Sequence, residues 1–148
     1  MAERDEIGRT CACLDSRTLS RCRGSRKRDA CIWPAPPYAE EYRRRAEALV
    51  RALDWEPVDP MRRDYRGRTQ GNETEIVEGD LAEIAACDAM LAAFTSPDEG
   101  TAMEAWYAHT LGKRVVAYTG GTPPHPWTVY VADAICAELE TAVRALAD

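Results

Sequence analysis

The chain has 148 residues, 45% of them hydrophobic and 30% charged, with a formal net charge of −6. That length suits one domain with a real core, and the composition is that of an ordinary soluble globular protein. No run approaches the length of a membrane-spanning helix, which excludes an integral membrane protein built on such helices.

The charge is unevenly spread. Residues 1–33 carry eight Lys/Arg against five Asp/Glu, a net of +3, while residues 34–148 carry eleven against twenty, a net of −9. An acidic body argues against a nucleic-acid polymer as partner, because phosphate backbones are bound by clustered cations. A small nucleoside or nucleotide passes that test. The N-terminus lacks the charged-then-apolar pattern of a secretory signal, so the cytoplasm is the expected location. In that compartment the six cysteines do not imply disulfides.

Residues 1–29 hold Cys11, Cys13, Cys22 and a run of Arg, with neither helical nor strand periodicity. They are expected to be disordered. A zinc site from Cys11, Cys13, Cys22 and Cys31 lacks paired CxxC knuckles, so no metal is expected. The domain proper is expected over residues 30–148. Residues 30–37 sit where a first strand belongs, yet Pro34, Pro36 and Pro37 make them a poor central strand.

Tyr38 to Leu53 reads as a helix with Tyr42, Ala46, Leu49, Val50 and Leu53 on one stripe. Trp55 to Pro60 reads as a short second strand. Met61 to Asn72 is a polar loop with Arg62, Arg63, Arg66 and Arg68, read as surface charge. Glu73 to Ala86 is a helix with Ile76, Val77, Leu81 and Ile84 spaced for one face, followed by a third strand over Asp88 to Phe94.

Next comes Ser96-Pro97-Asp98-Glu99-Gly100-Thr101-Ala102-Met103-Glu104, a short polar loop opening a third helix closed by Gly112. Arg114 to Tyr118 is a fourth strand. Strand, loop, helix and strand form a βαβ unit, whose ligands sit at the carboxyl ends of the strands. Asp98 and Glu104 therefore fall near the expected site. Ser96, Asp98 and Thr101 can each cap the helix, which puts Glu104 in its first turn or just after it. The positive helix end there favours an ionised carboxylate. The competing reading is that Glu104 only serves the helix dipole from a solvated face.

Thr119 to Trp127 is a loop in which His125 reads as a surface residue. Thr128 to Val131 suits an edge strand. Ala132 to Ala147 suits a closing helix with Ile135, Leu139, Val143 and Leu146 on one side. The alternation predicts an α/β doubly wound layer, a parallel sheet of four to five strands with helices on both faces.

Several phrases now gain meaning together. They are Glu78-Gly79-Asp80, Ala86-Cys87-Asp88-Ala89-Met90-Leu91, Asp98-Glu99-Gly100-Thr101-Ala102-Met103-Glu104, Trp106-Tyr107-Ala108 and Gly112-Lys113-Arg114-Val115-Val116-Ala117-Tyr118. As a set they resemble the nucleoside 2-deoxyribosyltransferases and the related deoxynucleotide N-hydrolases, over roughly Tyr38 to Tyr118. The resemblance implies a flavodoxin-like fold, no cofactor, and a homo-oligomer in which a partner subunit completes the pocket. It also implies that Glu104 is the nucleophile at the anomeric carbon, and that Asp80 and Asp98 hold the base and handle its proton. Gly100, Thr101 and Tyr38 are expected to line the substrate site. The implied activity is cleavage or transfer of the N-glycosidic bond of 2′-deoxyribonucleosides or their 5′-monophosphates. The alternative is a nucleotide-binding module that has lost catalysis.

One departure stands out. Members begin with a strand and turn resembling Val-Tyr-Leu-Ala-Gly-Pro, whose Tyr helps position the nucleophile. Here the place reads Ala30-Cys31-Ile32-Trp33-Pro34-Ala35-Pro36. Codons for Asp29 to Pro36, read from each third base, allow Arg-Val-Tyr-Leu-Ala-Gly-Pro, with the Ala forced by Trp33 and Pro34. The expectation is that residues up to about Pro36 are translated out of frame.

Overall fold

The structure, a computed structural model, describes residues 27–33, 39–63, 65 and 67–148. The expectations for residues 1–26, for Pro34, Pro36 and Pro37, for Tyr38 and for Arg66 lie outside the described residues.

Five strands form one parallel sheet: β1 (Asp29–Trp33), β2 (Glu56–Val58), β3 (Ala89–Ala93), β4 (Arg114–Tyr118) and β5 (Ala134–Cys136). Their order is β2-β1-β3-β4-β5, the flavodoxin-like arrangement, and every neighbouring pair is parallel. The helices are α1 (Ala39–Ala52), α2 (Glu73–Ala86), α3 (Glu99–Thr110), α4 (Pro126–Val131) and α5 (Leu139–Ala145).

The strands carry apolar residues on both sides because both faces are covered. Ala30, Ile32, Ala89, Leu91 and Val116 meet α1 and α5 through Ala46, Val50, Ala142 and Val143. The alternate residues Cys31, Trp33, Met90, Ala92 and Val115 meet α2, α3 and α4 through Ile84, Ala105, Ala108 and Val131.

β1 corrects one expectation. It ends at Trp33, one residue before Pro34, and pairs with β2 through Asp29–Cys31 and with β3 through Ala30–Trp33. No proline of that segment falls within the paired residues, so none interrupts the ladder.

Cysteine chemistry is a second correction. Cys31 of β1 and Cys87, just past α2, form a disulfide with Cα atoms 6.1 Å apart. The expectation of no disulfide came from compartment alone; the fold sets these two side chains face to face in one core layer.

The C-terminal quarter is a third. Thr128–Val131, expected as an edge strand, lies in α4. Pro126 occupies the first turn and His125 Nδ1 accepts from the Trp127 amide at 3.2 Å, so helix initiation overrides the β-branched residues. The true edge strand is β5, paired with Val116–Tyr118. The closing helix shrinks accordingly, and Ile135 belongs to the strand. On α2, Ile84 is buried but Val77 is 53% exposed, so the expected apolar face is narrower.

Gly112-Lys113-Arg114 has a structural explanation. Gly112 adopts φ +67° just beyond α3, a left-handed stop suited to glycine. Lys113 Nζ donates to the carbonyls of Ala85 (2.8 Å) and Cys87 (2.6 Å), closing the end of α2. Arg114 Nε donates to the Ala145 carbonyl at 2.6 Å. Among the described residues no helix is long and apolar enough to cross a membrane.

Candidate active site

The chain leaves the carboxyl end of β3 through Phe94–Pro97 and turns into α3 at Asp98. Of the three possible caps, Asp98 is the one used: its Oδ1 accepts from the Thr101 amide at 2.6 Å. Thr101 is itself buried, at 2% exposure. With the cap at Asp98, Glu104 falls in the second turn of α3.

Helix α3 is amphipathic in an unusual sense. Thr101, Ala105 and Ala108 are buried. Glu104 is half-buried, while Met103 is 73% exposed. Burial first, then the charges of Asp80 and Asp98, push the Glu104 carboxyl up to about 8. This corrects the expectation of an ionised carboxylate. The helix dipole fades within the first turn, whereas withdrawal from water and two like charges act on Glu104 directly. The solvated-face reading fails for the same reason.

Asp80 comes from α2, which packs against α3. Its carboxyl is raised by burial, and Arg63 opposes that rise. Arg63 lies just after the turn Pro60–Arg62, and its Nη2 meets Asp80 Oδ1 at 2.7 Å while its Nε meets Glu83 Oε1 at 3.0 Å. The guanidinium sits on Gly79, where a Cβ would lie 2.2 Å from Arg63 Nη1. The loop arginines were expected to be plain surface charge; Arg63 is not. Its partners lie 17 and 20 residues on, a pairing that no local periodicity signals.

So Asp80, Asp98 and Glu104 share one electrostatic neighbourhood at the carboxyl end of β3. Gly100 is exposed beside them, and a Cβ there would meet Asp98 Oδ1 at an ordinary 3.5 Å. Thr101 contributes its backbone amide to the Asp98 cap. Tyr38 lies outside the described residues.

A cavity of about 880 Å³ opens on the other side of α3, from Asp98 and Glu99 past Met103 and Trp106 to Trp127 on α4. Its wall includes His125, which thus has a structural part as the α4 cap. Glu104 and Asp80 line neither this cavity nor a smaller one of about 260 Å³ between Tyr42 and Tyr118. Around the large cavity Trp106 packs edge-on to Trp127, centroids 5.5 Å apart, and stacks on Tyr130 at 6.2 Å. Trp127 is 59% and Tyr130 68% exposed, a patch the sequence reading missed. No group of His, Cys, Asp or Glu among the described residues is arranged to hold a metal.

Comparison with known proteins adds to this picture. The family model of nucleoside 2-deoxyribosyltransferase matches residues 30–142. A 2-deoxyribosyltransferase from Bacillus psychrosaccharolyticus is similar in structure, with TM-score 0.65 and 18% identity over 76% of this chain and 88% of that one. A CMP N-glycosidase from Clostridium botulinum (TM-score 0.57, 13% identity, 82% of this chain and 100% of that one) is also similar. So is a conserved protein from Enterococcus faecalis V583, at TM-score 0.67 and 15% identity over 82% of this chain and 98% of that one. No curated protein sequence matches.

Proposed function

The chain belongs to the nucleoside 2-deoxyribosyltransferase family, and from that premise we propose that it cleaves or transfers the N-glycosidic bond of 2′-deoxyribonucleosides or their 5′-monophosphates. Glu104 is the nucleophile. Its carboxylate attacks C1′ of the sugar, the bond from C1′ to the base nitrogen breaks, and the electron pair leaves with the base. Asp80 and Asp98 hold the base and manage the proton it gains. Water or a second base then attacks C1′ and frees the carboxylate. Gly100, Thr101 and Tyr38 are assigned to substrate binding. The enzyme works in the cytoplasm as a homo-oligomer, for which the exposed Trp127 and Tyr130 are the support.

The observation that carries this reading is the convergence of three carboxyl groups on one strand end, with Glu104 raised by burial and then by the charges of the other two. The test is release of free base from a panel of deoxynucleosides and monophosphates, with and without an acceptor base. Release that disappears in Glu104→Gln, with folding intact, supports the reading. Equal release from the variant removes it.

A second reading has one observation in its favour. Cys31, where family members carry Tyr, is fully buried and held in a disulfide, so it offers no hydroxyl to the nucleophile. A nucleotide-binding module without turnover would bind ligand and release no base at any protein concentration.

A further inference from the structure

Asp80 is the member of the carboxyl cluster that forms an ion pair with an arginine, Arg63. Arg63 forks across two carboxyl groups, Asp80 at 2.7 Å and Glu83 at 3.0 Å, one turn apart on α2. Two-point binding of this kind fixes direction as well as distance. The three side chains are mostly withdrawn from solvent, with exposures of 27% for Arg63, 18% for Asp80 and 29% for Glu83. The helix makes room for the fork: Gly79 stands next to Asp80, and any Cβ there would collide with Arg63 Nη1 and Cζ, at 2.2 and 2.8 Å. A glycine inside a helix lowers its stability, and here the space it leaves is filled by the guanidinium.

We propose that Arg63 is a positioning residue for the candidate site, holding the carboxylate of Asp80 in one direction beside Glu104 through the fork over Gly79. This deepens the functional reading above and rests on it for its catalytic consequence. The charged groups that bear on Asp80 are Arg63 from the turn after β2 and Glu83 on its own helix. Those that bear on Glu104 are Asp80 from α2 and Asp98 from the start of α3. Without Arg63, burial and Glu83 both drive Asp80 toward its protonated form, and a neutral, undirected Asp80 no longer handles the proton of the departing base.

Gly79→Ala tests the idea without touching any charge. The new methyl displaces the tip of Arg63, while alanine strengthens α2, so a folding defect is not expected. Arg63→Gln removes the cation, and Arg63→Lys keeps it but loses the fork. The direct readout is the titration of the Asp80 side-chain carboxyl followed by carbon-detected NMR on the full chain. Its midpoint is expected to rise by about one pH unit or more in Arg63→Gln, to rise by less in Gly79→Ala, and to stay near the parent value in Arg63→Lys. In turnover, Arg63→Gln is expected to lower kcat about tenfold or more with KM changed less than about threefold, and Arg63→Lys to recover part of the loss. An Asp80 midpoint unmoved in both Arg63→Gln and Gly79→Ala overturns the proposal. So does a fall in kcat/KM carried wholly by KM. If the parent protein releases no base, the functional reading fails while the Asp80 titration still decides what Arg63 does.

Discussion

The two sides of α3 invert the usual helix pattern. Toward α2, Glu104 is half-buried beside Asp80 and Asp98. Toward α4, Met103, Trp106 and Trp127 stand 73%, 41% and 59% exposed around a large cavity. A helix selected for stability alone would place its carboxylate in water and its aromatics in the core. Both departures cost stability, and both lie on the same helix as the Asp98 cap. The charged side is suited to chemistry on a small polar molecule; the aromatic side is suited to contact with another surface. The two can be pulled apart by substitution.

The largest expected effect is on the charged side. Glu104→Gln should reduce base release at least about 1,000-fold, because the amide cannot act as the nucleophile. The same variant should gain stability at alkaline pH. Glu104 holds its proton up to about 8 when folded, against an ordinary glutamate value of 4.5. The folded state therefore binds the extra proton across that interval, and stability falls as pH rises from about 4.5 through 8. Gln at this position abolishes the loss, a gain on the order of 2 kcal/mol at pH 8 once partial solvent screening is allowed for. Urea denaturation at pH 5 and pH 8 measures it; a variant with the parent's pH dependence would contradict the assignment.

In the active protein, kcat/KM should climb roughly tenfold per pH unit and level off near 8, as the free enzyme's Glu104 ionises. A flat profile between pH 6 and 8 would mean that another group limits the reaction. Asp98 joins the two roles, and two variants separate them. Asp98→Ala should lose both the charge and the cap, costing about 1 kcal/mol of stability. Asp98→Asn should keep the cap and lose only the charge, so that its melting curve matches the parent while base release falls. The smallest effect on the fold belongs to the aromatic side. Trp106→Ala should change unfolding by no more than about 1 kcal/mol, yet shift the sedimentation profile toward a smaller species. An unchanged assembly state would detach that patch from subunit contact.

What the sequence made legible follows from how local each signal is. Residues 73–86 and 114–118 were read with their observed boundaries, because apolar spacing acts within one element. The loop opening α3 was legible because its cap and helix are contiguous. Thr128–Val131 was misread, since its β-branched residues point to a strand and the Pro126 and His125 start signals were outweighed. The ionisation of Glu104 was read from the helix dipole alone; burial reverses it first, with the charge of Asp98 close in the chain and that of Asp80 brought near only by the packing of α2 on α3. Arg63 was one of several loop arginines until the fold placed it on Gly79. Cys31 and Cys87, 56 residues apart, meet for the same reason.

The account turns on whether an oxygen of Glu104 bonds to the sugar. The direct measurement is peptide mapping by mass spectrometry of protein quenched in acid during turnover of a deoxynucleoside without an acceptor base. The account predicts one deoxyribosyl group on the peptide containing Glu104, absent from Glu104→Gln. Base released at the full rate with no sugar on the protein, or a sugar attached elsewhere, would contradict it.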